Sequence, residues 1–544
     1  MKLLGALLGM AVVGAPLFVI ITVLTALAWW VYKDVHTVHG IAIIVKPLAQ
    51  LIERNEFLAI PLFIGAGAIM TEGGLARRLV AVANAALGWL PGGLAVSAVI
   101  ACMFFAAISG SSPVTLIAVG SIMFPAMVKN HYPENFSLGL VMTAGSLGCL
   151  IPPAVAMLIY AISVQGQGAV DPSELFIAGL GPALFISGAL VIYSMWVGRK
   201  VPRPAEEQLD FRQRMRVLGD ALREGIWALF LPVIVLGGIY GGLYVPSEAG
   251  AVAVVYALVV TVFIHRELSW VDVIRVLANA GKLMGLLILI IGLAFSLNEF
   301  LAAIQIDRKL EELVDAWQLG PVAFLLLVNV VLIVLGALMD SISATLIFAP
   351  MLAPIAVRQY GMDPLHFGVV FVVNMEIGYL APPVATNLFV AAAVFKKPFT
   401  QVMRAVLPTL AMTCAALVVF MYVPTCSMGL VNLNRGDPVW EPFPWDGEPV
   451  HVRNAKAGSA AELGDLSEKA MEETGFGEDG GTGQSEDEMY EELENIYAAP
   501  PGGDEGGEEG AGEENGAAAA DQDGGELDLG NEFLDQFNDD AGAD

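Results

Sequence analysis

The stretch AISGSSPVT, residues 107–115, sets three serines and a glycine between two strongly apolar runs, residues 94–108 and 113–128. As helices of about 15 residues, these arms reach only ~22 Å, short of a hydrocarbon core of ~30 Å. A polar break that brief cannot be an exposed loop between two full spans. It reads as the tip, residues 109–113, of a re-entrant hairpin. Non-helical backbone at that depth is tolerated only where protein buries it or it lines a cavity. A second pair of arms, residues 322–339 and 344–358, is separated only by MDSIS, which gives a second tip at residues 340–345.

Around these hairpins the chain is apolar almost throughout. Of 544 residues, 56% are hydrophobic. Segments long enough to span lie near residues 3–31, 57–72, 136–165, 174–198, 226–245, 248–264, 283–301, 366–395 and 401–423. This is the pattern of an all-α polytopic membrane protein and excludes a soluble enzyme. The first run has no small-residue cleavage pattern after it and is expected to be a retained span. Beyond residue 430 lie 32 of the 55 acids and four of the 27 bases, so the net charge of −28 belongs to that segment alone and the membrane body is neutral. The Gly/Glu/Asp/Ala tail, residues 431–544, is too poor in apolar residues to form a core and is expected to be disordered. Cys102, Cys149, Cys414 and Cys426 lack paired spacing and read as packing residues.

The loop at residues 199–223 carries seven basic residues, Arg212, Arg214 and Arg216 among them, and should be cytoplasmic. Counting through spans and hairpins then puts Arg77, Arg78, Lys129, His265, Arg266, Lys396, Lys397 and Arg404 on the same side. Shifting the chain by 230 residues sets Arg78 against Arg308, Ser111 against Ser341, Thr115 against Thr345, and Gly148, Pro152 and Pro153 against Gly378, Pro382 and Pro383. The halves are internal repeats, and the span count makes them inverted, a sequence pointer to a secondary transporter with its site near the bilayer midplane. The expected organisation is an N-terminal span and connecting amphipathic segment at 1–56, a first repeat at 57–165, linking spans at 166–282, a second repeat at 283–395, a C-terminal span at 396–430 and the acidic tail.

A hairpin tip frees backbone carbonyls and amides, and serine adds compact uncharged oxygens. The proline pair of GCLIPP, residues 148–153, unwinds its helix and exposes the carbonyls before it. Oxygen ligands without thiol or imidazole suit an alkali or alkaline-earth ion. The second repeat places MDSIS against GYLAPP in the same relation, so two ion sites follow; close helix packing and a plain proline kink are the bland readings of the same residues. Asp340 is an ionisable group at membrane depth, open to ligating a cation, taking up a proton, accepting from substrate hydroxyls, or capping the helix that starts at Ser341. Asn374 and Asn387 are either cavity liners or interhelical hydrogen-bond partners. Glu248 sits at a helix start as a dipole partner. No phosphate-binding Gly-x-x-x-x-Gly-Lys-Ser/Thr loop occurs in the chain, so ATP is not the direct energy source.

The stretches ISGSSPVTLIAVGSIMFPAM, GSLGCLIPPAVAMLIYA, GALMDSISATLIFAPMLAPIA and NMEIGYLAPPVATNLFVAA resemble the large membrane subunit of tripartite ATP-independent periplasmic (TRAP) transporters, from about residue 14 to residue 425. The resemblance implies an elevator-type carrier of the bacterial inner membrane, driven by a sodium gradient and importing an organic acid such as a C4-dicarboxylate or sugar acid. It implies two partners, a periplasmic substrate-binding protein and a small four-span subunit. Both are expected as separate chains, because the stretch before residue 57 is too short for four spans. No nucleic-acid partner and no cofactor beyond sodium ions is implied.

Carried onto this sequence, the family's first sodium site falls on Ser109, Ser111, Gly148, Ile151 and Pro153. The second falls on Asp340, Ser341 and Thr345 with Gly378, Ala381 and Pro383, and substrate falls between the tips near Ser111 and Asp340, with Asn374 and Asn387 as liners. The chain departs from the family's pattern at Ala154, often serine, and at Ala381 and Ala385, often threonine and glycine. An acidic tail is not part of that pattern either. A transport-inactive scaffold or receptor of the same fold is the alternative function. An intramembrane enzyme is disfavoured, since no paired His/Glu motif or Ser/His pair lies on the spans. The topology makes a direct prediction: single cysteines at positions 129 and 358 label from opposite sides of the membrane, and labelling from the same side contradicts the inverted arrangement.

Overall fold

The computed structural model describes residues 17–33, 46, 55–164, 170–201, 210–382 and 385–443, and every regular element among them is helical. After α1 (Leu17–Lys33) come α2 (Ala59–Glu72) and α3 (Leu75–Leu87), bent by 71° at a glycine pair. Next are the hairpin α4 (Gly93–Ser109) and α5 (Ser112–Lys129), and the broken helix α6 (Glu134–Ser146) and α7 (Val155–Ser163). Three linking helices follow, α8 (Pro172–Gly198), α9 (Phe211–Tyr240) and α10 (Pro246–Leu258), the last extended by a π turn over Val259–Ile264. Then the series recurs: α11 (Trp270–Ala303) and α12 (Ile306–Ala316), the hairpin α13 (Pro321–Leu338) and α14 (Ser341–Arg358), and the broken helix α15 (Pro364–Leu380) and α16 (Thr386–Phe395). α17 (Phe399–Tyr422) and α18 (Thr425–Arg435) complete the described chain.

The 230-residue offset read from the sequence holds for the elements: Glu134, which begins α6, maps onto Pro364, which begins α15. The two series are the repeats, and the span count read from the sequence makes them inverted. They interlock through their broken helices, since α7 packs against α14 and α16 packs against α5, so each resumed half-helix reaches the other repeat's hairpin.

Three boundaries differ from the sequence reading. α11 starts at Trp270 rather than near residue 283, because Ser269 caps it: its hydroxyl accepts from the Asp272 N–H at 3.3 Å and the Asp272 carboxylate accepts from the Ser269 N–H at 3.2 Å. The basic stretch 199–223 is helical from Phe211 onward, where Asp210 and Gln213 form the corresponding box, so Arg212, Arg214 and Arg216 ride on the first turns of α9. The folded body also runs past residue 430. Glu441 is buried, accepting from Asn432 Nδ2 at 2.9 Å, and its N–H donates to Thr425 Oγ1 at 3.0 Å. Phe443 packs edge-on to Tyr422, and Arg435 forms a two-pronged ion pair with Glu174 at the start of α8. A charged carboxylate, Glu441, is what hides this segment from a hydropathy reading. Glu248 behaves as expected, accepting from the Val245 N–H at the start of α10. The first 16 residues, residues 34–45 and 47–54, Arg203, and the tail from residue 444 lie outside the described residues.

Two outcomes follow. Truncation after residue 431 removes the Glu441 and Phe443 contacts and lowers the thermal midpoint of the purified protein, whereas truncation after residue 450 leaves it unchanged; equal midpoints contradict the extended boundary. Ala385 sits at φ 35°, a left-handed backbone that favours glycine. Ala385→Gly therefore stabilises the fold by ~1 kcal/mol, and a lowered midpoint contradicts this.

Candidate functional site

At the first tip, α4 ends on Ser109 and the chain reverses at Gly110, whose φ of 58° favours glycine. Ser111 is extended, and α5 opens with Pro113 in its first turn, where a missing N–H leaves no helical bond unmade. The oxygens converge here. Ser109 Oγ lies 2.7 Å from Thr115 Oγ1, and Thr115 Oγ1 donates to the Ser111 carbonyl at 2.9 Å. Ser109 and Thr115 are fully buried, and Ser111 is half-buried.

The broken helix closes on this tip. After α6 a single 3₁₀ turn, Leu147–Cys149, brings Gly148 so near that a β-carbon there would stand 2.6 Å from the Ser111 carbonyl oxygen. A β-carbon on Gly110 would stand 2.3 Å from the Pro153 carbonyl oxygen, and the Val155 N–H donates to the Gly110 carbonyl at 3.2 Å. The structure thus gathers Ser109, Ser111, Gly148 and Pro153, with Thr115 added. Ile151 shares the connecting segment, but its side chain lines an apolar pocket behind the hairpin with Phe104 and Leu236. Thr115 was within reach of the sequence, since the repeat offset sets it against Thr345.

At the second tip Met339 is extended and Asp340 caps α14: Oδ2 accepts from the Ser343 N–H at 2.9 Å and Oδ1 from the Ser343 hydroxyl at 2.8 Å. Of the roles open to Asp340, helix capping is the one its contacts display. Ser341 is hydrogen-bonded to Tyr379, and Thr345 Oγ1 is buried with no hydrogen-bond partner among the described residues. Gly378 packs on the arm leading to the tip, where its β-carbon would stand 2.6 Å from Gly336 Cα. The Ala381 N–H donates to the Gly378 carbonyl at 3.1 Å, and the Ala385 N–H donates to the Ala337 carbonyl at 3.1 Å. Pro383 lies outside the described residues.

Both asparagines form interhelical bonds. Asn374 donates to Asn329 on α13 and to the Val370 carbonyl, and Asn387 donates to Ser112 Oγ at 2.5 Å. A cavity of about 480 Å³ opens beside the first tip, lined by Ser109, Ser111 and Val114 of the hairpin, Thr71 and Glu72 of α2, and Asn279 of α11. Asp340, Asn374 and Asn387 do not line it. A residue the sequence reading passed over is Glu376, fully buried on α15, with Oε1 accepting from Ser146 at 2.8 Å and Oε2 without a partner among the described residues. Its signal was an acid inside the apolar run HFGVVFVVNMEIGYL, residues 366–380.

What the first tip offers chemically is a cluster of hydroxyl and carbonyl oxygens, and the second offers the Asp340 carboxylate with the Ser343 and Thr345 hydroxyls; oxygen donors of this kind suit a small hard cation. The unpartnered Thr345 hydroxyl and the carbonyls turned toward the first tip fit such an ion.

The family described as tripartite ATP-independent periplasmic transporter, DctM component, matches residues 4–426. The C4-dicarboxylate TRAP transporter large permease protein DctM of Pseudomonas aeruginosa is 42% identical over 385 residues, covering 71% of this chain and 88% of that protein. The protein of the same description from Rhodobacter capsulatus is 40% identical over 441 residues, covering 79% and 98%. In the fold alone, the chain is similar to the YdaH transporter of Alcanivorax borkumensis, with a TM-score of 0.51 at 14% identity over 78% of this chain and 98% of that one. With inverted repeats, paired hairpins and a match over the whole membrane body, the chain belongs to the DctM family, the large permease component of tripartite ATP-independent periplasmic transporters of the inner membrane.

Proposed function

We propose that this subunit imports an organic acid by sodium symport, with the two hairpins and their broken helices moving as an elevator against α2 and α11. The observation that carries the reading is the first tip, where the Ser109 and Thr115 hydroxyls and the Ser111 carbonyl converge, the Pro153 carbonyl comes up against Gly110, and Ser109 and Ser111 line the cavity. An ion held there sits beside the substrate, so its charge offsets that of a carboxylate in a cavity whose polar lining includes Thr71, Ser111 and Asn279 but also the acidic Glu72. The hairpin tip is the divider between cavity and ion, which is how one binding event can strengthen the other.

The elevator reading is supported by the cavity's walls. One wall is the tip; the other is α2 and the first half of α11, two helices that pack on each other. Movement of the tip along that wall changes the side from which the cavity opens without remaking the ion cluster. The end of α2 and the start of α11 adjoin the basic residues Arg77, Arg78 and Arg266, so the cavity opens toward the cytoplasm. C4-dicarboxylates are the substrates named for the two relatives, and a carboxylate of that class is proposed here. A periplasmic binding protein that delivers it and a small membrane subunit that braces the scaffold are proposed as the other two parts of the tripartite system.

The test uses stability, which needs no partner. Sodium chloride, and not choline chloride, raises the thermal midpoint of the purified subunit, because an ion bound only by the folded state stabilises it by mass action. Ser109→Ala, Ser111→Ala and Thr345→Val each remove an oxygen while leaving the apolar arms packed. Each is expected to raise the half-effective sodium concentration roughly tenfold, corresponding to ~1.4 kcal/mol. A sodium response that is unchanged in all three returns these hydroxyls to a packing role.

A further inference from the structure

Ser146 and Glu376 are separated by 230 residues, so each is the other's counterpart in the repeat, and they touch. That contact lies on the axis relating the two halves. Ser146 is the last residue of α6 and directly precedes the turn that presses Gly148 onto the first tip. Glu376 stands two residues before Gly378, which presses onto the arm of the second hairpin at Gly336. The single bond between them, 2.8 Å from Ser146 Oγ to Glu376 Oε1, therefore joins the supports of both tips.

Two features set this contact apart from ordinary packing. Glu376 is fully buried, its second oxygen has no partner, and no ion pair with it is formed among the described residues. A nonpolar side chain of similar volume would fill the place at no loss of stability, since an isolated buried acid with one hydrogen bond is a poor stabiliser. The Ser146 hydroxyl also has two acceptors at equal distance, the Thr143 carbonyl at 2.8 Å and Glu376 Oε1 at 2.8 Å, and only one hydrogen to give. It can give that hydrogen to either acceptor, one inside its own helix and one across the repeat axis. A second bond crosses the same boundary nearby, from Asn387 Nδ2 on α16 to Ser112 Oγ at the first tip.

We propose that Ser146 and Glu376 are positioning residues that couple the two ion sites, so that filling one tip sets the Ser146 bond and tightens the other. The proposal rests on the sodium reading above and goes beyond it by assigning the path of cooperativity. The hydroxyl with its two acceptors is the element that both sites bias, which is what coupling between separate sites requires.

The experiment is sodium binding to the purified full-length subunit, followed by thermal midpoint and by equilibrium uptake of radioactive sodium. The wild-type protein is expected to bind with a Hill coefficient above one. Ser146→Ala and Glu376→Met lower it to about one while both sites still fill, and Glu376→Gln, which keeps an acceptor at Oε1, retains the wild-type steepness. A purely structural role moves stability in these variants but not the steepness, and steepness unchanged in Ser146→Ala and Glu376→Met overturns the coupling. Loss of steepness in Glu376→Gln to the same degree as in Glu376→Met also overturns it. If Glu376→Met fails to fold, Ser146→Ala alone decides. Absence of any sodium response in the wild-type protein overturns the sodium reading together with this proposal, whereas a response of unaltered steepness in the variants sinks only the coupling.

Discussion

Broken helices inside a membrane leave backbone donors and acceptors that lipid cannot satisfy, and this structure meets that constraint by making the breaks answer one another. The Val155 N–H, freed where α7 resumes, is taken by the Gly110 carbonyl at the end of α4, and the Ala385 N–H, freed where α16 resumes, is taken by the Ala337 carbonyl near the end of α13. Each hairpin tip is thereby stitched to the broken helix of its own repeat. Everything else at the centre follows: the closeness that obliges glycine at positions 110 and 148, the carbonyls turned inward, and the hydroxyls gathered among them.

The two tips solve the same problem with different residues. In the first, Thr115 and Ser109 satisfy each other, and the turn is made by Gly110. In the second, a carboxylate at Asp340 caps the following helix through Ser343, and Thr345 is left with an unused buried oxygen. An approximate twofold relation in the backbone therefore carries two unlike clusters.

Much of this was legible in the sequence because its strongest signals are violations of hydropathy. SGSS and MDSIS interrupt apolar runs too short to span alone, and the paired prolines at 152–153 and 382–383 recur at the same offset, so hairpins, broken helices and inversion could all be read. The placement of Ser109, Ser111, Gly148 and Pro153 around one point could be carried over for the same reason. What sequence could not convey was direction. Asn374 and Asn387 are polar residues in the right region, yet they face neighbouring helices, because which side of a fully buried helix meets a cavity depends on packing that no periodicity records. Glu376 was hidden by its surroundings, and the continuation of the fold to Phe443 was hidden by a buried glutamate that hydropathy counts as tail.

The central claim is that the stitched tips form two cation sites of unlike make-up. Counting radioactive sodium bound per chain at saturation, with potassium in excess to suppress non-specific association, tests it most directly. The account expects two sodium ions per subunit, with the second filling only at roughly tenfold higher sodium when Thr345 is replaced by valine. One ion or none in the intact protein contradicts it.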